Sequence, residues 1–304
     1  MASSGPATWV ISLTPFTDGG KLDEAGLREH LRRLGGAGIG VYLAGSGSGE
    51  GYALSRDERR RVLEIGAEEL SGRVPVRAMG VEPRSAAEAI ELARDVAAAG
   101  LDGMQLYSLD LGHGYRPRPE ELEGYLCDVL DEADCPVALS SHQAMGYALP
   151  PELVDRLIDR YDRIAAIHFT HPDVPSLVRM LEVTSGRIEL HVGGPMQAIT
   201  ALSLGATGYL SSEGNLAPRL CVSVVEHHAS GALAERDAAF ARVLELFSAT
   251  QRAGGMSATK GALRLLGLPG GWPRRPRLPV AEEAARALAD TFVALGLRES
   301  EGVG

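Results

Sequence analysis

The chain has 304 residues, of which 45% are hydrophobic and 23% charged, with a formal net charge of -10. This composition is typical of a globular protein with a sizeable core. The acidic balance argues against nucleic acid or an anionic membrane surface as the main partner, because both attract clustered Lys and Arg.

With these two classes of partner disfavoured, the expected partner is a small-molecule substrate or a second copy of the chain. Three cysteines without metal-like spacing predict no disulfide framework and a cytoplasmic location. No apolar run approaches the roughly 20 residues of a membrane span. The start of the chain lacks the features of a signal peptide and is predicted to be a short tail before the first strand.

Short runs rich in β-branched residues alternate with amphipathic stretches, a pattern typical of parallel strands joined by helices. Eight strands are predicted, at 9–14, 41–45, 74–81, 103–108, 136–141, 164–170, 188–194 and 208–213. Ser55 with Glu58, and Ser85 with Glu88, have the spacing of capping boxes at helix starts. Eight strand–helix units predict the α/β class and a closed (β/α)₈ TIM barrel over residues 1–230.

The strand pattern stops near residue 230. Helices are then predicted at 232–252, 257–267 and 280–296. Their apolar faces need a partner, so residues 231–304 are predicted to form a helical extension packed on the barrel.

A Gly- and Ser-rich turn follows the second strand. It contains Ser46, Gly47, Ser48, Gly49 and Glu50. The active site of such a barrel lies at the C-terminal ends of its strands, and backbone N–H groups and hydroxyls in a turn can hold a carboxylate. A flexible surface turn is the alternative. The position after a buried strand favours substrate binding by these five residues.

Five of the eight histidines fall at or just beyond the ends of strands four to seven: His113, His142, His168, His171 and His191. Imidazoles so placed can act as general acid and base near neutral pH. Alternatively, three of them, His142, His168 and His191, could hold a catalytic zinc ion. No HxH or HExxH spacing supports the metal, so neither a metal nor a cofactor is predicted.

Further polar and small residues lie near the same strand ends. Thr170, His191 and Gly193 are predicted to bind substrate. Tyr107 and Tyr115 flank an insertion after strand four and are predicted to donate to a developing oxyanion, with packing at the surface as the alternative.

Several short motifs occur in a characteristic order along nearly the whole chain. They lie at 14–16, 46–50, 54–58, 151–153, 204–208 with Asn215, and 258–263. In sequence and order they resemble the N-acetylneuraminate lyase/dihydrodipicolinate synthase superfamily of pyruvate-dependent aldolases. The resemblance implies a TIM barrel that assembles as a homo-dimer or homo-tetramer. It also implies that the 46–50 turn holds a substrate carboxylate through Ser48 and the position of Gly47.

The chain departs from this superfamily where its chemistry is carried. The family's Schiff-base lysine ends strand six, and His168 stands at the matching position. The only lysines are Lys21 and Lys260, neither of which is predicted to take its place. Ser140 stands where the family has a strand-five tyrosine, and the arginine that follows that tyrosine is missing.

The sequence therefore predicts a lyase that acts on a small carbonyl- or carboxylate-containing substrate without a Schiff base. His168 is predicted to be the main acid/base group, helped by Ser140 and His142. Two alternatives stay open: a non-catalytic binding member of the family, and a lyase or hydrolase with a histidine-bound metal.

Overall fold

The computed structural model describes residues 7–143 and 146–303, apart from the side chain of Met196. The predicted tail at residues 1–6 lies outside these ranges, as do Ala144, Met145 and Gly304.

Eight parallel strands follow chain order around a closed barrel, which confirms the predicted (β/α)₈ fold. The strands are β1 (Ala7–Ile11), β2 (Gly40–Leu43), β3 (Val76–Ala78), β4 (Met104–Leu106), β5 (Val137–His142), β6 (Ile164–Thr170), β7 (Glu189–Gly193) and β8 (Gly208–Leu210). Several are shorter than the predicted runs at one or both ends.

Helices follow the strands and continue after the last of them. Those up to residue 230 are α1 (Glu24–Gly36), α2 (Arg56–Leu70), α3 (Ala86–Ala99), α4 (Pro119–Glu132), α5 (Pro151–Arg160), α6 (Val174–Thr184), α7 (Ala198–Ser203) and α8 (Pro218–Ser230). The later ones are α9 (Leu233–Ala253), α10 (Met256–Leu265), α11 (Glu282–Ala294) and the short α12 (Leu297–Ser300). The predicted division at residue 230 coincides with the end of α8, and its status as a domain boundary stays a prediction.

The two predicted capping boxes differ in detail. Ser55 Oγ accepts from the N–H of Glu58 at 3.2 Å, and the Glu58 carboxylate accepts from the N–H of Ser55 at 3.0 Å, which completes the box. Ser85 Oγ likewise accepts from the N–H of Glu88 at 3.4 Å. The Glu88 carboxylate, however, accepts from the N–H of Arg84 at 2.8 Å. Both helix starts are thus stabilised by a side-chain cap.

The chain divides into two compact units. One is Arg77–Leu210, with β4 to β8 and α3 to α7; the other comprises residues 7–76 and 211–303, with β1, β2, α1, α2 and α8 to α12. Within the described ranges, no helix combines the length and the apolar character that crossing a membrane requires.

Candidate active site

Six of the predicted site residues share the interior face of β5, β6 and β7, all within the Arg77–Leu210 unit. Side chains alternate between the two faces of a strand, so residues two apart point the same way. Strand pairing places Ser140 beside His168 and His168 beside His191. One step towards the C-terminal ends, His142 pairs with Thr170, and Gly193 is the next interior position of β7. The structure thus brings together predicted residues from three consecutive strands.

His168 is buried and bonded at both ring nitrogens. Its Nδ1 lies 3.3 Å from Oε1 of Gln105 on β4, and its Nε2 lies 3.4 Å from Thr170 Oγ1. Burial, followed by the nearby His142, lowers the pKa of His168 to about 3. The ring is therefore a neutral imidazole at neutral pH.

The imidazole of His142 makes a ring contact with that of His168. The two ring centroids are 6.4 Å apart, and the planes meet at 75°. Burial lowers the pKa of His142. Its Nδ1 is buried and finds no hydrogen-bond partner among the described residues. This nitrogen therefore has hydrogen-bonding capacity that no described residue uses.

His191 belongs to a buried charged group deeper in the same unit. Its Nε2 lies 3.4 Å from Glu189 Oε2, and the same oxygen accepts from Arg77 Nη2 at 2.9 Å. Burial, with Arg77 and His168 adding to it, lowers the pKa of His191 well below its usual value. The side chain is only 2% exposed, so its observed contacts are structural and its predicted role in substrate binding stays a prediction.

Gly193 leaves the space in which His168 and Thr170 meet. A Cβ at this position would lie 1.9 Å from Thr170 Oγ1 and 2.7 Å from His168 Nε2.

We expect Gly193→Ala to lower the free energy of unfolding by about 1–3 kcal/mol, as overpacking of a core does, and to separate the side chains of Thr170 and His168. Denaturant unfolding measures this. Gly124→Ala in α4 is the control, because a Cβ there meets open space; equal losses in both variants would contradict the packing argument.

Ser140 makes a contact that the sequence did not reveal. Its Oγ lies 2.9 Å from the hydroxyl of Tyr147, which stands in the loop after β5. Burial raises the pKa of Tyr147, so its phenol stays protonated. A phenol therefore stands beside Ser140, contributed by a residue seven positions later.

The two remaining strand-end histidines make other contacts. His171 Nε2 bonds to Ser141 Oγ at 2.9 Å, and its ring stacks on Phe169 at 4.1 Å. Burial lowers the pKa of His171, and the nearby His142 adds to this effect. His113 is exposed in the loop after β4. The expected gathering of all five histidines at one mouth stays a prediction.

The two predicted tyrosines occupy different environments. Tyr107 is buried, and its backbone oxygen accepts from the hydroxyl of Tyr125 at 2.9 Å. Tyr115 is half exposed, and its hydroxyl donates to Glu121 at 2.7 Å. The predicted catalytic roles of both tyrosines stay predictions.

The Ser46–Gly49 turn lies in the other unit and is tightly wound. A Cβ on Gly49 would lie 2.7 Å from the backbone nitrogen of Gly45, and Ser48 is buried. The guanidinium of Arg277 donates to the carbonyl oxygen of Gly47 at 3.1 Å. These contacts favour an ordered turn over the flexible alternative.

Glu50 is among the residues predicted to bind substrate, but its carboxylate is already paired. One oxygen bonds to Lys260 Nζ, and the other accepts from the N–H of Arg274 at 2.9 Å. The side chains of Glu50 and Lys260 are both fully buried. A role for the Glu50 carboxylate in holding an anionic substrate therefore has no support in the structure, for reasons of charge and access.

Both lysines are accounted for. Lys260 Nζ also donates to the carbonyl oxygens of Thr14 at 2.7 Å and Trp272 at 3.0 Å. Lys21 is exposed in a turn. β6 itself, with the sequence IAAIHFT, has no lysine.

The zinc alternative requires three ligands around one point. Among the described residues, no three His, Cys, Asp or Glu side chains are grouped in a way that would hold a metal ion. The proposed set of His142, His168 and His191 is therefore not assembled as a metal site.

A closed parallel barrel with polar side chains at its strand ends is typical of TIM-barrel enzymes. The model of the Dihydrodipicolinate synthetase family matches residues 7–295. The chain belongs to this family.

Two relatives and one solved structure agree with this membership. The 4-hydroxy-tetrahydrodipicolinate synthase of Methanopyrus kandleri is 32% identical over 294 residues, 95% of this chain and 96% of the relative. That of Methanothrix thermoacetophila is 31% identical over 282 residues, 92% and 93% of the two chains. A prophage protein of E. coli K12 from the dihydrodipicolinic acid synthase family, solved in complex with pyruvate, has a TM-score of 0.87 at 26% identity, with 97% and 100% coverage. The predicted lyase class is supported by this membership.

Proposed function

We propose that the protein is a lyase that acts next to a carbonyl group by histidine acid/base chemistry and without a Schiff base. The observation that carries the proposal is His168, buried on β6 with defined partners at both ring nitrogens. In the superfamily that the sequence resembles, the imine-forming lysine stands at the position that His168 occupies here. An imidazole cannot form that imine, so a different way of moving protons is needed.

The partners of His168 indicate which nitrogen acts. Gln105 Oε1 can only accept, so Nδ1 carries the proton and Nε2 carries the lone pair. With this tautomer, the Thr170 hydroxyl, 3.4 Å away, is the donor to Nε2. Nε2 is therefore the atom that can take a proton from a substrate, while Gln105 fixes the tautomer and the ring orientation.

Burial makes His168 a weak base in the free protein, since its pKa is about 3. A bound substrate with a negative charge would raise that pKa, because an opposite charge stabilises the imidazolium. Proton transfer is thereby favoured when an anionic substrate is bound. This coupling fits a small carboxylate better than a neutral substrate.

A carbon–carbon cleavage by this route balances as follows. A proton leaves the substrate hydroxyl for His168 Nε2, the adjacent carbon–carbon bond breaks, and its electron pair moves onto the carbonyl oxygen. That oxygen needs hydrogen-bond donors, which His142 or the Ser140–Tyr147 pair would provide. The proton on His168 then returns to the new carbanion or enolate.

Trapping with sodium borohydride separates this route from a Schiff base. Pyruvate is the probe, because the E. coli relative was solved in complex with it. We expect no increase in protein mass after incubation with pyruvate and borohydride, since β6 has no lysine and Lys260 is buried in an ion pair. A stable adduct found by mass spectrometry, mapped to either lysine, would contradict the proposal.

We further propose that the protein acts on a small-molecule substrate in the cytoplasm. By resemblance to the superfamily, we propose that it forms a homo-dimer or a homo-tetramer. Light scattering of the purified protein tests the oligomeric state, and a monomer at micromolar concentration would contradict it.

A further inference from the structure

Gln105 is a buried polar residue on β4 whose side-chain amide is only half used. The residue is 1% exposed, and its Oε1 lies 3.3 Å from His168 Nδ1. Its Nε2 is buried and has no hydrogen-bond partner among the described residues. An amide nitrogen carries two hydrogens and can only donate. A buried donor without a partner costs free energy unless a ligand or water accepts from it.

The strands next to Gln105 supply no acceptor for this nitrogen from their side chains. Strand pairing places Gln105 beside Ala138, and Ala138 beside Ala166. Both alanines are buried, and a methyl group has no acceptor atom. Because these side chains are small, they also leave room beside the amide that larger residues would occupy.

A second unused polar atom belongs to another side chain that contacts the His168 ring. This atom is His142 Nδ1, which is buried without a partner in the part of the chain that the structure describes. The His142 and His168 rings meet with their centroids 6.4 Å apart. In one neutral tautomer of His142, Nδ1 carries a hydrogen and can donate it. Two side chains around one imidazole therefore each have a hydrogen-bonding atom that no described residue uses.

The chemistry of these atoms restricts what a ligand can present to them. Gln105 Nε2 only donates, so the ligand atom must be an acceptor, and a carbonyl oxygen with two lone pairs can accept from both nitrogens. The amide has no charge, and burial lowers the pKa of both His142 and His168, so these imidazoles are neutral at neutral pH. A carboxylate would be desolvated here without a counter-charge. An uncharged keto or aldehyde oxygen fits better.

We propose that Gln105 binds the carbonyl oxygen of the substrate through Nε2, with His142 Nδ1 as a second donor. Gln105 then has two roles. Its Oε1 orients the base, and its Nε2 holds the oxygen that receives the electron pair when the carbon–carbon bond breaks. The inference rests on the proposed lyase function and adds to it a donor that selects substrates with a carbonyl oxygen at this point.

Two ligands that differ only in the keto oxygen test the proposal. Pyruvate has this oxygen, and propionate has a methylene in place of the keto group. Both are monoanions, so a change in the charge of the protein affects their binding alike. We expect the unchanged protein to bind pyruvate roughly three- to tenfold more tightly than propionate, the scale of one neutral hydrogen bond, as measured by ligand-observed NMR. Equal affinity, or no binding of either ligand, would overturn the assignment.

Two variants separate the donor role of Gln105 from its positioning role. Gln105→Met removes both roles, whereas Gln105→Glu keeps an oxygen for His168 Nδ1 and loses the hydrogens of Nε2. Each should reduce the ratio of the pyruvate and propionate affinities roughly threefold or more. Gln251→Met, at an exposed position of α9, is the matched control and should leave the ratio unchanged. An unchanged ratio in a folded Gln105→Glu variant would show that Gln105 only positions His168, and would overturn the proposal.

A measurement on the unchanged protein covers the case in which a variant fails to fold. The ¹³C signal of the keto carbon of labelled pyruvate should move to higher frequency on binding, because its oxygen accepts hydrogen bonds. The same frequency for free and bound pyruvate would overturn the proposal. This signal needs no turnover, so hydrogen exchange at the pyruvate methyl group tests the lyase function separately. A shifted signal without exchange would contradict the lyase function and leave the carbonyl-binding role of Gln105 supported.

Discussion

Replacing His168 with asparagine is expected to slow the exchange of the pyruvate methyl protons with D₂O by about 10²–10⁴-fold, the usual contribution of general acid–base catalysis. Exchange at this carbon requires removal of a proton next to a carbonyl, which is the reverse of the step in which His168 Nε2 returns its proton to the enolate. Asparagine can still contact Gln105 but has no basic nitrogen. Proton NMR of pyruvate in D₂O, corrected for the rate without protein, measures the effect.

His113→Asn is the matched control for this experiment. His113 is exposed and has a φ of 49°, a left-handed conformation that asparagine tolerates well. We expect its exchange rate to equal that of the unchanged protein. An unaltered rate in His168→Asn would refute the assignment of the proton-accepting group, and no exchange by the unchanged protein would favour the non-catalytic alternative.

The pH dependence adds an independent check. Because burial lowers the pKa of His168 to about 3, the ring stays neutral as the pH falls from 8 to 5. The neutral ring is the proton acceptor, so the protonation of His168 should not reduce kcat/KM in that window. A fall in kcat/KM centred near 6.5, the ordinary imidazole value, would show that the free protein holds a solvated histidine in this role.

The parts of this site that follow strand periodicity could be predicted from the sequence. His142, His168 and His191 lie on consecutive strands, and their shared face follows from barrel topology and the two-residue alternation of a strand. His171 lies one residue beyond the end of β6, so strand alternation does not fix its direction, and its bond to Ser141 could not be derived from periodicity.

Contacts from irregular segments could not be predicted in the same way. Tyr147 reaches Ser140 through a loop with no repeating pattern, so its side-chain direction depends on the particular backbone path. Gln105 could have been predicted as a site residue from the sequence. A polar residue between Met104 and Leu106 in a short strand must face either solvent or a polar interior. The pairing of Glu50 with Lys260 joins positions 210 residues apart, beyond the reach of any local rule.

Replacing Lys260 with methionine is expected to lower the free energy of unfolding by about 3–5 kcal/mol, the cost of leaving one member of a buried ion pair without its partner. Methionine approximates the length of lysine, so the cavity left behind is small. The loss arises instead from the Glu50 carboxylate and the Thr14 carbonyl oxygen, both of which bond to Nζ. Denaturant unfolding followed by circular dichroism measures the change.

Two further variants make this expectation specific to the pair. Lys21→Met removes the only other lysine, which is exposed, and should change stability by no more than about 0.5 kcal/mol. Glu50→Gln combined with Lys260→Met should be more stable than Lys260→Met alone, because the amide has no charge to bury and can still accept from the N–H of Arg274. If the double variant were less stable than Lys260→Met, the unpaired carboxylate could not be the source of the loss. The defect would then have to be assigned to the lost bonds to Thr14 and Trp272.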